Sequence, residues 1–329
     1  TILVKRFEGL SYYWLRRMWQ TVSDQVPALL PEERTEVYAQ MSHAARADVS
    51  FYILIFLSSI IAYLGLIESS AAVIIGAMLV APLMSPILAM AHSIVQGNLR
   101  LFRRATESTI KGVALAIGTS VALTLILPQQ LATAEILSRT HPNLLDLIVA
   151  LASGAAAAYA MTRKSLAAAL PGVAIAAALV PPLGVVGYGL GSAQFQIANG
   201  ALLLFVTNLS AIILAGAITF LLVGFRPARA EYGQQMQRGI IIAIVVLIII
   251  AIPLGLTSAI SRRNIQRVHF VETTLEEAVE EASAFVHDIS VVQQGDLLLI
   301  EVTIYDFGQF DSQDLDRIRQ MISDAAGMP

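Results

Sequence analysis

The sequence predicts an α-helical polytopic membrane protein. About seven transmembrane helices are expected, six of them as two inverted three-helix repeats with proline-broken helices, followed by a small α+β, ferredoxin-like domain. Three observations carry this. Of 329 residues, 56% are hydrophobic and 14% charged, with a mean hydropathy of +0.70, against about a quarter charged in soluble domains. Apolar runs near the roughly 20 residues that a spanning helix needs occur at 50–67, 71–96, 109–127, 144–160, 170–190, 199–223 and 239–260. Finally, VIIGAMLVAPL (Val73–Leu83) returns 100 residues later as VAIAAALVPPL (Val173–Leu183), identical at seven of eleven positions; chance gives about two or three in so apolar a chain.

Residues 1–49 are read as cytoplasmic and interfacial helices. YYWLRRMWQ mixes Trp14 and Trp19 with Arg16 and Arg17, as an interfacial helix does, and no signal peptide is visible. PEERTEVYAQMSHAARAD starts with Pro31, Glu32 and Glu33, a favourable helix beginning. The first repeat is placed at 50–127 and the second at 128–225. Its 144–160 run opens with Asp146 and is rich in Ala and Gly, which suits helix packing more than lipid contact.

A seventh helix at 239–260 precedes the tail. Residues 1–260 hold 16 basic against 11 acidic residues and 261–329 hold 5 against 13, so the tail is a separate acidic module. Its expected elements are a strand at 265–271, a helix at 273–286, a strand at 296–306 and a helix at 311–322.

Basic residues near the span ends set the orientation. Arg34, Arg46, Arg100, Arg103, Arg104, Arg163, Lys164, Arg226, Arg229 and Arg238 share one side, and Arg139, Arg262, Arg263 and Arg267 the other. The expectation is a multi-pass protein of the cell (inner) membrane with a cytoplasmic N-terminus and the tail outside, on the periplasmic face.

The duplicated proline break is the candidate site. A helical proline lacks an N–H and orphans the carbonyl four residues back. Pro82 does this to Met78, Pro86 to Pro82, and Pro181 and Pro182 to Ala177 and Ala178. Such carbonyls cannot face lipid, and paired broken helices in inverted repeats form midplane substrate sites in secondary transporters. The predicted substrate-binding set is Met78, Val80, Ala81, Pro82, Ser85, Pro86, Ala178, Val180, Pro181 and Pro182, with the membrane-depth polar residues His92 and Asn208. Other Ser and Thr residues in the spans are expected to bond the preceding turn.

The run IAYLGLIESSAAVIIGAMLVAPLMSPI (Ile61–Ile87), followed by GNLRLFRRA, resembles a prokaryotic family known as an uncharacterised hydrophobic domain, a domain of unknown function. The resemblance covers about residues 45–225 through its IGAML-APLM-PI core. It implies a polytopic membrane protein and supplies no substrate or catalytic residues.

The function expected is transport of a small ion or polar solute, by a secondary carrier before a channel, because a channel needs a continuous polar lining. The alternative is a non-transporting sensor or scaffold linking the tail to the N-terminal segment. There is no HExxH, GxSxG or phosphate-cradling glycine loop, and no intramembrane carboxylate pair, so no enzyme is expected. No cofactor and no metal site are expected either: the chain has no cysteine, and His269 and His287 lack closely spaced co-ligands. The partners expected are the lipid bilayer, a small ion or solute, and a second copy in a homo-oligomer, a dimer most simply. Nucleic acid is not among them.

Overall fold

The computed structural model describes residue 29 and residues 31–127, 131–163, 166, 179–227, 232–252, 285–294 and 297–305. Ala178, the 12–20 segment, the strand at 265–271 and the helix at 311–322 lie outside the described residues, as does 273–284 of the other tail helix. Two units divide the chain, Thr1–Leu254 and Gly255–Pro329.

The first unit is helical, with several long apolar helices that could span a membrane. Helix α1 (Pro31–Ala44) opens with Glu32 and Glu33 in its first turn, favourable against the helix dipole. It is followed by α2 (Val49–Ile67), whose N-cap Asp48 accepts from the Phe51 N–H at 2.8 Å. Ser108 joins the two helices: its hydroxyl donates to the Ala45 carbonyl at 2.8 Å and accepts from the Ala47 N–H at 3.1 Å. After α2 come α3 (Ala71–Val80) and α4 (Met84–Gln96), bent by 55° across three residues. Then follow α5 (Leu99–Ile126), the short α6 (Ala134–Leu137), α7 (Leu144–Met161), α8 (Val180–Gly191), α9 (Phe195–Leu222) and α10 (Gly233–Ile252).

Five of these, α2, α5, α7, α9 and α10, are long and apolar enough to cross a bilayer, and the α3–α4 pair makes a sixth, broken candidate. The third span departs from its expected start at residue 109. Helix α5 begins at Leu99, where Asn98 caps it by accepting from the Leu101 N–H, so Arg100, Arg103 and Arg104 lie on helix rather than in a loop. Asp146 likewise has a local role. With Asn143 it closes a capping box at the start of α7, satisfying donors that would otherwise be orphaned.

Two short helices, α4 and α8, occupy the interior. Ten of the thirteen residues of α4 and ten of the twelve of α8 are buried, whereas α10 has no buried residue. Both α4 and α8 pack against both long helices, α5 and α9. Glycines permit the closest approaches. A Cβ on Gly154 would come within 2.6 Å of Ile212 Cα, and one on Gly189 within 2.6 Å of the Ala198 nitrogen. Gly154 of α7 and Gly189 of α8 thus each pack closely on α9.

In the second unit, β1 (Phe285–Gln294) pairs antiparallel with β2 (Leu297–Tyr305), from Phe285 opposite Tyr305 to Gln294 opposite Leu297, with an irregularity between Val286 and Asp288. The strand expected at 296–306 coincides with β2. Strand β1 was not anticipated, and it takes Phe285 and Val286 from the end of the expected 273–286 helix.

Candidate functional site

Helix α3 ends where it must. Pro82 offers no N–H to the Met78 carbonyl, and the last backbone bond of the helix runs from the Ala81 N–H to the Ala77 carbonyl at 3.2 Å. That same carbonyl accepts the Ser58 hydroxyl of α2 at 2.8 Å. The 55° turn then delivers the chain into α4, with Leu83 at the N-cap position in αR geometry and no side-chain cap. Pro86 falls in the first turn of α4. There no intrahelical donor is needed, so it adds no second orphaned carbonyl to the break, contrary to expectation.

Pro181 and Pro182 also lie in a first turn. They are the second and third residues of α8, where proline is tolerated. Leu179 at the N-cap offers no side-chain hydrogen bond either. By contrast, the starts of α2, α5 and α7 are capped by Asp48, Asn98 and Asn143. Two buried helix starts therefore face each other without side-chain caps, each with proline at its third position.

They meet at one place. Met78, Ala81, Leu83 and Met84 from the break between α3 and α4 and Leu179 and Val180 from the start of α8 line a cavity of about 10 Å³, the scale of a single water molecule. Of the predicted residues, Met78, Ala81 and Val180 line it. Pro86, Pro181 and Pro182 are buried in the adjoining first turns, Pro82 and Ser85 are half-buried at the first break, and the Val80 side chain points outward at 36% exposure. Leu83, Met84 and Leu179 were not anticipated, because apolar side chains beside a proline give no polar signal.

His92 and Asn208 do not join the lining. His92 stands eight residues beyond the start of α4, about 12 Å along the axis. It is fully buried, edge-on to Phe220 at 5.2 Å and Phe225 at 4.9 Å between ring centroids, with Tyr38 at 6.0 Å. Neither ring nitrogen has a hydrogen-bond partner, and neither does Asn208 Oδ1. Five hydroxyls behave as expected: Ser59, Thr119, Ser120 and Thr207 each donate to the carbonyl four residues back, and Ser93 to the one three back; Ser58 departs, donating across to α3. Among the described residues no group of three or more His, Cys, Asp or Glu side chains is placed to hold a metal.

Beyond the breaks the two halves correspond at a spacing of 96 residues, not the 100 of the sequence match. Helices α4 and α8 start at 84 and 180 and have 13 and 12 residues; α5 and α9 start at 99 and 195 and both have 28. Gly97 and Ala193 both adopt left-handed backbone (φ +64° and +57°) and close the same turn, with bonds from Gly97 N to Ile94 O and from Ala193 N to Leu190 O. Gly216 of α9 faces Leu88 and Ala91 of α4, as Ser120 of α5 faces Gly184 and Gly187 of α8. Pro182 thus corresponds to Pro86. The four-residue offset from the sequence match is about one helical turn, which preserves the apolar phase.

Residues 78–214 match a family described as a domain of unknown function (DUF389). Over 211 residues the chain is 29% identical to an uncharacterised protein of Methanocaldococcus jannaschii, across 64% of this chain and 66% of that protein, so it spans just under two thirds of that relative's length. No solved structure matches. The matched segment starts at Met78 and ends within α9, so it contains every residue that lines the small cavity.

Proposed function

We propose that this chain is a membrane transport protein, a secondary carrier rather than a channel, which moves a small ion or polar solute past the junction of its two broken helices. The observation that carries the reading is the cavity lined jointly by Met78, Ala81, Leu83 and Met84 and by Leu179 and Val180. The end of α3 and the starts of α4 and α8, which begin 96 residues apart, are brought together, with Leu83, Met84, Leu179 and Val180 buried. Irregular backbone at membrane depth is tolerated where it is enclosed by protein or lines a cavity.

The supporting pattern is an inverted pair of three-helix units, α2 to α5 and α7 to α9, with α4 and α8 exchanged between the long helices. Contacts that repeat at a spacing of 96, each between one half's short helix and the other half's long helix, favour a two-fold relation. An odd number of spans per unit reverses the second unit in the membrane. In this reading the N-terminus is cytoplasmic, the acidic tail is a ferredoxin-like module outside, and the β1–β2 hairpin is part of that module.

A carrier is favoured over a channel by the size and lining of the junction. A cavity of about 10 Å³ with apolar side chains suits an occluded state and no water-filled path. The backbone groups at the junction compete in sign. The starts of α4 and α8 carry positive dipole ends, but three of their six first-turn positions are proline and lack donors. The end of α3 presents carbonyls. Both signs therefore belong in the assay.

The test is uptake by proteoliposomes of the purified chain, with monovalent cations, monovalent anions and small zwitterions as solutes. Flux of one class is expected, and it should be lost in Ala81→Leu, which fills the cavity, and in Pro182→Ala. Unchanged flux in both variants, with folding intact by melting temperature, would overturn the proposal. Removal of 255–329 separates it from the sensor alternative, which predicts a folded but inactive membrane core.

A further inference from the structure

Helix α10 meets the remainder of its unit at two places and leaves a slot between them. Near its start, a Cβ on Gly239 would come 2.9 Å from Ile94 Cγ2, and farther along Leu247 and Ala251 pack against Leu147, Ala150 and Ala211. Between these contacts lies a cavity of about 570 Å³, within the range of sites for organic ligands. Its lining changes character along α10. Asn98, Gln235 and Arg238 stand at one end, and Ile213, Ile242 and Val246 supply apolar wall beyond them.

The sequence of α10 dictates that gradient. GQQMQRG (233–239) is polar for two turns, and IIIAIVVLIIIAI (240–252) is wholly apolar for the next 13 residues, about 20 Å of helix. One wall of the cavity therefore runs from headgroup depth into hydrocarbon depth. Arg238 forms no ion pair among the described residues. Arg100, Arg103 and Arg104 lie on the first turns of α5, beside the cavity-lining Leu99 and Phe102, so the polar end is electropositive.

We infer that this cavity binds one anionic phospholipid, an acyl chain lying along Ile213, Ile242 and Val246 and the phosphate at Arg238. Basic pockets between membrane helices take such headgroups. A soluble phosphate would find its partners at Arg238 and Asn98 but would leave the apolar length of the cavity empty. The site is separate from the junction of the broken helices, and lipid occupancy there steadies α10 against the bundle.

The experiment uses the full chain in a mild detergent, with melting temperature and native mass spectrometry as readouts. The probes are phosphatidylglycerol, phosphatidylcholine and glycerol phosphate. Phosphatidylglycerol is expected to remain as a one-to-one adduct and to bind about fivefold more tightly than phosphatidylcholine, the contribution of one arginine near a headgroup. Arg238→Gln should remove that preference while both lipids still bind, and Ala243→Trp should exclude both. Should Ala243→Trp lose its fold, Ile213→Trp fills the same volume from the opposite wall. Equal binding of the two lipids by the native chain, binding that survives a folded cavity-filling variant, or a shift reproduced by glycerol phosphate alone would each overturn the inference.

Discussion

The two short helices α4 and α8 have the same framework and different fillings. Each starts uncapped with proline at its third position, runs twelve or thirteen residues, ends in a left-handed residue and packs against both α5 and α9. Within that frame the side chains diverge. Position 92 is a histidine without hydrogen-bond partners among aromatic rings, and position 188 is a tyrosine in an apolar cluster with Tyr63, Leu66 and Ile197. The turn after α4 is built from Gly97 and a capping Asn98, whereas the turn after α8 uses Ala193 and Gln194, which caps nothing. Backbone geometry and small-residue contacts are what the halves share. Their asymmetry lies in side chains, both at the lining positions Met84 and Val180 and farther along at His92 and Tyr188.

The largest expected effect tests whether the shared contacts are equivalent. In one half Ala91 meets Gly216; in the other Gly187 meets Ser120, with the Ile117 carbonyl at 2.9 Å and the Val121 nitrogen at 3.0 Å from a Cβ built there. The side chain has changed partner across the same contact. Gly187→Ala should cost about 3 kcal/mol through overpacking. Adding Ser120→Gly recreates the Ala–Gly pairing of the other half and should recover at least half of that loss. A double variant that melts as low as Gly187→Ala would show that the resemblance of the halves stops at helix length.

Next in size is His92. A buried polar group without partners costs about 1–3 kcal/mol, and an aromatic ring of similar shape avoids that cost. His92→Phe should therefore raise stability by about 1–2 kcal/mol, read as a higher melting temperature in detergent. The corresponding Tyr188→Phe should leave it unchanged or lower. Natural chains retain destabilising groups where function uses them, so loss of uptake in a more stable His92→Phe protein would mark α4 as the half whose side chains act. Lower stability would mean that the imidazole has a partner in the membrane.

Much of this organisation was legible in the sequence, for physical reasons that also mark where reading stops. Apolar runs locate α2, α7 and α9 because crossing hydrocarbon imposes length and composition together. Pro82 marks the end of α3 because its missing N–H leaves no donor for the next helical bond, and Pro182 marks the start of α8 because proline suits a first turn. The register between the halves was misread by four residues, since a shift of one turn keeps nearly the same apolar face. Leu83 and Leu179 were invisible as lining residues, because what places them is a 55° bend and a distant segment. His92 carried a polar signal that composition could not separate from the break, although it sits about 12 Å along α4. Strand β1 was hidden because FVHDISVVQQ begins inside the helical pattern of EEAVEEASAFV.

The turns give a cleaner contrast, in sign rather than in size. An alanine in left-handed backbone costs about 1–2 kcal/mol that glycine avoids, so Ala193→Gly should stabilise by about 1 kcal/mol. Gly97→Ala should destabilise by about 2 kcal/mol or more, because it adds the same strain and brings a Cβ to 2.7 Å from the Tyr232 carbonyl oxygen. Opposite signs of the two melting shifts are the expected result. Shifts of the same sign would mean that the two turns, alike in dihedral angles, are loaded differently by what packs on them.

The smallest effect concerns Ser58, the side chain tied most directly to the first break. Its hydroxyl donates to the Ala77 carbonyl, which already accepts the Ala81 N–H, so Ser58→Ala removes the second of two donors and leaves no buried acceptor bare. Interhelical hydrogen bonds in membranes contribute about 0.6 kcal/mol on average, and a melting shift of that order is expected. The bond nevertheless holds the last turn of α3 against α2, one residue before Met78 at the cavity. If the junction carries solute, uptake in Ser58→Ala should fall by more than so small a stability change accounts for, and a double-mutant cycle with Ala81→Leu should show coupling. Additive effects would place Ser58 among the ordinary packing contacts of α2 and leave the break held by the prolines alone.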